Sequence, residues 1–366
     1  MTLISAILVT GLLVSLTLLS TNGSPSTGTK KPTATAFALT PTLPPPQLHV
    51  AGQQIVDDRG NPITFIGAAS PSLEYSCHGN GHQEVADFMA MKSWGMNIVR
   101  LPLSSAFWRN LQGSCPDYKQ TVAKVVTNAE VVGLDVLLDL QWNAPLSLAI
   151  DAKKGGTQCP IPTELDATFW REVGTAYGYD HRVLFELFSE PYAPNANIWY
   201  HGGTVSDNCN NRYDTPITYT GIGMLDLVNA VRATAPDTIL LVSGNGWGYD
   251  LSMLGPAYPF PDQNIMFSTH PFGHPNYEQV WDWQRAFGNA VDAGYPVFIS
   301  EFGQYDCGTD YNAQVINYAK LHKLSWVTWA WEDWGCQGPG LLKDWNGEPS
   351  DPYGTFIRQQ MLSASQ

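Results

Sequence analysis

Two glutamates stand where a buried apolar run stops. Glu190 closes Leu187-Phe-Ser-Glu-Pro-Tyr192, and Glu301 closes Val297-Phe-Ile-Ser-Glu-Phe-Gly303. A carboxylate directly after an apolar strand is unwelcome unless it faces a polar cavity. Two of them in one cavity can divide a reaction between them. Cleavage of a glycosidic bond needs that division: one carboxyl group protonates the leaving oxygen, and the other attacks or stabilises the anomeric carbon. Two unrelated loop carboxylates would leave the same trace, so the elements that carry them decide between the readings.

From Ile63 onward, short apolar runs alternate with amphipathic stretches. The runs Ile63–Gly67, Asn97–Leu101, Val136–Leu140, Val183–Leu187, Thr238–Ser243, Ile265–Thr269, Pro296–Ser300 and Ser325–Ala330 are nearly continuous in apolar character and rich in Val and Ile. Strands buried on both faces read this way. Helical patterns lie between them at Gln83–Trp94, Lys119–Val132, Asp166–Tyr177, Thr220–Ala233, Tyr277–Ala293 and Tyr311–His322, while the connection after Gly246 is short. This alternation predicts a single-domain α/β fold, a (β/α)8 TIM barrel, over residues 48–366. An open doubly wound sheet would want a G-x-G-x-x-G after the first strand, and none is there. Barrel chemistry gathers at the carboxyl ends of the strands. Those ends carry Arg100, Asp139, Gln141, Trp142, Glu190, Asn245, Trp247, His270, Glu301 and Trp329. Before the barrel, His49 to Asp58 and the turn Arg59-Gly60-Asn61-Pro62 read as a short hairpin closing one end of the domain.

At these segments the chain resembles family 5 of the glycoside hydrolases, the cellulase family. The resemblance runs through nearly all of residues 50–360. It rests on Asn97-Ile-Val-Arg-Leu-Pro102, Gly133-Leu-Asp-Val-Leu-Leu-Asp-Leu140, Phe185-Glu-Leu-Phe-Ser-Glu-Pro191, Glu301-Phe-Gly303 and Ser325-Trp-Val-Thr-Trp-Ala-Trp331, in that order. It implies a retaining hydrolase, with Glu190 as acid/base and Glu301 as nucleophile. Arg100 would hydrogen-bond near the nucleophile and keep it ionised, His270 would lie close to the acid/base, and Trp329 would form the floor under the sugar. Glu186 reads as a buried structural carboxylate.

Three positions depart from the family's pattern: Gln141 replaces a histidine, Ser189 an asparagine and Phe272 a tyrosine. Serine is a much shorter donor than asparagine, and phenylalanine donates nothing. Each lost transition-state bond would cost about 1–3 kcal/mol, roughly 5- to 150-fold in rate. The expectation is an active hydrolase with altered rate or selectivity, acting on a β-1,4-linked glucan. Two further readings are a hydrolase of another β-glycan such as mannan, and a sugar-binding barrel with little turnover. Gln141, Trp142, Ser189, His270, Phe272 and Trp329 are the expected substrate contacts, and Trp108, Tyr192, Trp199, Trp247 and Trp334 are candidate aromatics for further sugar rings.

Composition bounds the partners. The net charge of −14 argues against nucleic acid and anionic membrane surfaces, which reward basic patches. The 12 % aromatic content suits a neutral polysaccharide or oligosaccharide. Neither a cofactor nor a metal is implied: no His-x-His lies at a strand end, and carboxyl chemistry is sufficient. A monomer is expected. Residues 1–22 are apolar and uncharged, and read as a signal peptide or a membrane anchor; residues 23–47 form a Ser/Thr/Pro-rich linker. This predicts an extracellular protein, secreted or tethered to the cell surface, and six cysteines without a C-x-x-C pair agree by reading as disulfides. Pairing them in barrel order, Cys77–Cys115, Cys159–Cys209 and Cys307–Cys336, would tie neighbouring loops on the catalytic face.

Overall fold

The structure, a computed structural model, describes residues 46–273, 278–306, 308–335 and 338–364. The leader, nearly all of the linker, Cys307 and Cys336 lie outside the described residues. Eight parallel strands form the centre: β1 (Ile66–Ala69), β2 (Ile98–Ser104), β3 (Asp135–Trp142), β4 (Val183–Glu186), β5 (Leu240–Ser243), β6 (Ile265–Ser268), β7 (Val297–Phe298) and β8 (Trp326–Thr328). Each pairs with its sequence neighbour, and β8 returns to β1 with Trp326 opposite Ile66. The ring closes between β7 and β8, where Ile299 bridges Trp326 and the Val327 N–H donates to the Ile299 carbonyl at 2.9 Å. The fold is a (β/α)8 barrel.

Alternation along the strands explains how an apolar core carries a polar site. Ile98, Leu137, Leu184, Leu241, Met266, Phe298 and Val327 belong to one buried cluster that fills the barrel. Two residues further along each strand, on the same face, come Arg100, Asp139, Glu186, Ser243, Ser268, Ser300 and Trp329. One layer of the interior is therefore hydrocarbon, and the layer above it is polar. The intervening residues, such as Val99, Leu101, Leu138 and Phe185, point outward into a second core shared with the helices.

The amino-terminal hairpin is a three-stranded antiparallel sheet of His49–Ala51, Gln54–Val56 and Pro62–Ile63. Its Leu48 and Ile55 join the interior cluster and so plug the amino end of the barrel. The run beginning at Ile63 is thus divided, its first residue serving the hairpin and its end forming β1. Two helical patterns also differ from expectation. Ile217–Ile222 pairs with Gly202–Asp207 as a hairpin, and the helix starts only at Met224, where Asp226 accepts the Gly223 N–H. The β-branched alternation of Ile217-Thr-Tyr-Thr suits a strand better than a helix. Downstream of β6, the segment breaks into a 3₁₀ turn at Val280–Asp282, a π turn at Gln284–Gly288 and a short helix at Asn289–Asp292.

Candidate active site

Arg100 projects from β2 into the polar layer and is fully buried. Its Nε donates to Glu186 Oε2 at 2.7 Å, one terminal nitrogen to Glu301 Oε2 at 2.5 Å, and the other to Ser189 Oγ at 2.7 Å. The last nitrogen also lies 3.0 Å from Asp139 and 3.4 Å from Gln141 Oε1. A planar guanidinium offers five donors in a fixed fork, so it can hold partners on separate strands in set directions, where an ammonium has three donors and no fixed plane. Burial alone would lower the Arg100 pKa, but Asp139, Glu186 and Glu301 outweigh it and raise it.

Glu186, on β4, is the opposite pole. Its second oxygen, Oε1, accepts from Ser268 at 2.8 Å and Ser300 at 2.6 Å, and lies 3.1 Å from His270 Nε2. Burial would raise this carboxyl, yet Arg100 and His270 dominate and hold it well below the usual range. Glu186 thus seats both cations of the site, agreeing with its reading as a structural carboxylate. His270 is fully buried; burial would lower its pKa, but its contacts with Glu186 and Glu190 outweigh that and raise it to about 10. Gly248 makes room for that ring, since a Cβ there would lie 2.9 Å from His270 Cγ.

The two glutamates meet above this layer. One oxygen each of Glu190 and Glu301, with a nitrogen of His270, all lie within 4.8 Å of one another. His270 Nδ1 is 3.5 Å from Glu190 Oε1. Burial pushes Glu301 up to about 7 against the pull of Arg100 and His270, and the charge of Glu190 adds to the rise. The same three atoms are close enough together to ligate a cation, but Arg100 already donates to Glu301 and His270 lies on Glu190, so both carboxylates have protein partners. A cleft of about 400 Å³ opens over Glu190 and His270, walled by Gln158, Trp247, Phe272 and Tyr305.

Two of the replaced positions, Gln141 and Ser189, lie beside Arg100, and the third, Phe272, lines the cleft. Ser189 Oγ donates to Gln141 Oε1 at 2.9 Å while accepting from Arg100. Phe272 keeps its ring in the cleft wall, stacked on Tyr305 with centroids 5.4 Å apart. Trp329 is half-buried, 6.1 Å from the exposed Trp334 ring, and Trp142 packs 6.3 Å from Tyr75 at the rim. Trp247 is exposed and stacks on Tyr192 at 4.0 Å. Two aromatics correct the expectation. Trp108 is buried against Phe169 with its indole donating to Glu172, and Trp199 is buried against Phe260 with its indole donating to the Ser243 carbonyl. Both serve the outer core, because their strand-adjacent helices turn them away from the cleft. Cys77 is bonded to Cys115 and Cys159 to Cys209. Gln158, Glu278 and Tyr305 also line the cleft; Gln158 and Tyr305 sit on loops with no periodicity to mark them, and Glu278 lies ahead of the first helical turn, at the edge of a stretch whose pattern reads as helix.

A closed barrel with a carboxyl pair, a guanidinium and aromatic rings at the carboxyl ends of its strands has the architecture of a glycoside-hydrolase barrel. Comparison with known proteins narrows the class. A family model described as cellulase (glycosyl hydrolase family 5) matches residues 56–335, and the chain belongs to that family. An endoglucanase of Clostridium saccharobutylicum is 25 % identical over 296 residues, 78 % of this chain and 56 % of its own length. The chain therefore spans little more than half of that relative. In fold it is similar to the β-glucanase SdGluc5_26A of Saccharophagus degradans, with a TM-score of 0.66, 21 % identity, and coverage of 92 % of this chain and 98 % of that one. An endocellulase of Pyrococcus horikoshii is similar at a TM-score of 0.66 and 20 % identity, covering 86 % of this chain and 98 % of that one.

Proposed function

We propose that the chain is an endo-acting β-1,4-glucanase that works by double displacement with retention. The observation that carries this reading is the approach of Glu190 and Glu301 oxygens to within 4.8 Å. Retaining enzymes hold their carboxyl groups about 5–5.5 Å apart, whereas inverting ones leave about 6.5–9.5 Å for a water. Glu301 attacks the anomeric carbon as Glu190 hands its proton to the leaving oxygen. Glu190 then takes a proton from water, whose oxygen displaces the sugar from Glu301. The pair works with one proton between them, and the 2.5 Å contact with Arg100 favours the arrangement in which Glu301 carries the charge.

The endoglucanase names of several relatives support a glucan, and one from Caldicellulosiruptor saccharolyticus is named β-mannanase/endoglucanase A, which keeps mannan as the second substrate to try. The apolar leader and the linker support export, and the protein acts as a monomer on a neutral polysaccharide. Reducing-sugar release from soluble β-glucans and mannans, with Glu190→Gln and Glu301→Gln alongside, tests the reading. Activity in the parent, lost by about 10²-fold or more in both variants, is the expected result. Retardation in a glucan gel without sugar release would replace the enzyme by a binding protein.

A further inference from the structure

Glu190 is held at both oxygens. His270 lies on Oε1 at 3.5 Å, while Oε2 accepts the side-chain amide of Gln158. Gln158 belongs to the long connection after β3 rather than to a strand, and its neighbours explain why a loop residue can aim a side chain reproducibly. Thr157 forms a two-way backbone bridge with Asn143, both bonds 2.9 Å. Cys159 is bonded to Cys209, and both cysteines are fully buried. Tyr192 contacts the Gln158 carbonyl at 3.3 Å and donates to Asp207 at 3.0 Å, and the same Asp207 oxygen accepts the Cys209 N–H at 2.6 Å. The Tyr192 N–H donates to the Pro160 carbonyl at 3.1 Å. Backbone bridge, disulfide and phenol thus fix the segment on both sides of Gln158.

We propose that Gln158 is a positioning residue for the acid/base: its amide holds Glu190 against the leaving oxygen and tunes the proton that Glu190 gives up. This rests on the reading of Glu190 as acid/base. A neutral amide suits the task, because it can orient a carboxyl group in either protonation state, whereas a lysine would hold the group ionised and a carboxylate would repel it. Other charges facing Glu190 are His270 and Glu278 from the segment after β6, and Glu301 from β7. None of these three donates to Oε2; among the described residues that oxygen accepts from Gln158.

The test compares two leaving groups. In the full chain, Gln158→Met keeps the length of the side chain and removes the donor. Its kcat/KM on a soluble β-glucan falls about tenfold, while that on 2,4-dinitrophenyl β-cellobioside, whose leaving group needs little protonation, falls less than about twofold. The basic limb of the glucan pH profile moves to higher pH, because a carboxyl group that has lost a donor to its charged form releases its proton later. Gln158→His, which keeps a donor, restores part of the glucan activity. Equal losses on both substrates with an unmoved pH limb would reduce Gln158 to a structural residue, and parent-like kinetics would remove it from the mechanism altogether. Either result requires a parent that hydrolyses the glucan; a parent that does not would overturn the proposed function instead.

Discussion

Around Glu301 the neighbours come from barrel strands or their immediate ends: Arg100 from β2, Asp139 and Gln141 from β3, Glu186 and Ser189 from β4 and the residues just after it. Around Glu190 one partner, His270, also comes from a strand end, but the other, Gln158, comes from the long connection after β3, and Trp247, stacked on Tyr192, walls the cleft from the connection after β5. The first wall is buried and dense in charge, while the second is half-open, aromatic and tied by a disulfide. Strands can hold opposed charges at fixed separations because their own positions are set by the whole ring. Connections are free to vary in length and residue type, which suits the side that meets the departing part of a substrate.

Removing the centre of the strand-built wall should have the largest effect. Arg100→Leu leaves Asp139, Glu186 and Glu301 facing one another without their shared cation. Breaking a buried pair in this way costs about 3–5 kcal/mol, which lowers the melting temperature by about 5–8 °C in a chain of this size. Hydrolysis should fall below detection. Calorimetry at pH 7 checks the point, and a variant that melts with the parent would contradict the account of this wall.

The loop-built wall should respond in the opposite way, losing binding but not fold. Trp247 stands at φ 63°, a left-handed conformation that is unfavourable for a bulky residue. Its ring is exposed, and a sugar ring can stack on it as it does on Tyr192. Trp247→Gly relieves the backbone by about 1 kcal/mol and gives up the Tyr192 stack, worth about as much. The melting temperature should therefore stay within about 2 °C of the parent, while kcat/KM on the glucan falls about 5- to 30-fold, mainly through KM. A fall in kcat alone would place Trp247 in the chemistry instead of in the binding of the sugar.

The same division governs what could be read from the sequence. Arg100, Glu186, His270, Glu301 and Trp329 lie on strands or directly after them, so the period-2 alternation and the family motifs find them together. All eight strands were legible for the same reason: each is a short apolar run between polar stretches. Trp108 and Trp199 misled because an indole is equally at home in an outer core and in a cleft, and composition does not say which way a ring faces. Gln158 carried no signal at all. Its role arises from a disulfide, a bridge to Asn143 and a phenol far along the chain, none of which has a local pattern. The helical pattern expected over Thr220–Ala233 overlaps the last residues of the hairpin, Thr220–Ile222, because its second strand runs straight into the helix.

Phe272 lies between the walls and can sharpen the contrast. Phe272→Tyr adds a phenol to the wall of the cleft that holds Glu190, and keeps the ring that stacks on Tyr305. If the missing phenol limits the reaction, one added hydrogen bond of about 1 kcal/mol raises kcat roughly fivefold. Unchanged kcat would mean that the Arg100 wall alone sets the state of Glu301.

The smallest expected effect is at Glu332, a carboxylate buried without a cation, and Glu186, buried with two, supplies the contrast. Glu186 has Arg100 and His270, whereas Glu332 has the amide of Asn80 at 3.0 Å, and burial, with Glu74 and Asp333 nearby, pushes it up to about 8. The signs are opposite. For Glu332, raised above its ordinary 4.5, ionisation opposes folding; that penalty is absent below about pH 4.5 and complete above about pH 8. Glu332→Gln should raise the melting temperature by about 2 °C at pH 8.5 and leave it unchanged at pH 4.5. For Glu186, held well below its ordinary value, stability is present above pH 4.5 and is lost as the pH falls. Glu186→Gln should therefore lower the melting temperature at pH 7, and its deficit should shrink as the solution is acidified. Melting curves of both variants across that range separate the two cases, and parallel curves would show that the paired and the unpaired carboxylate bear the same cost.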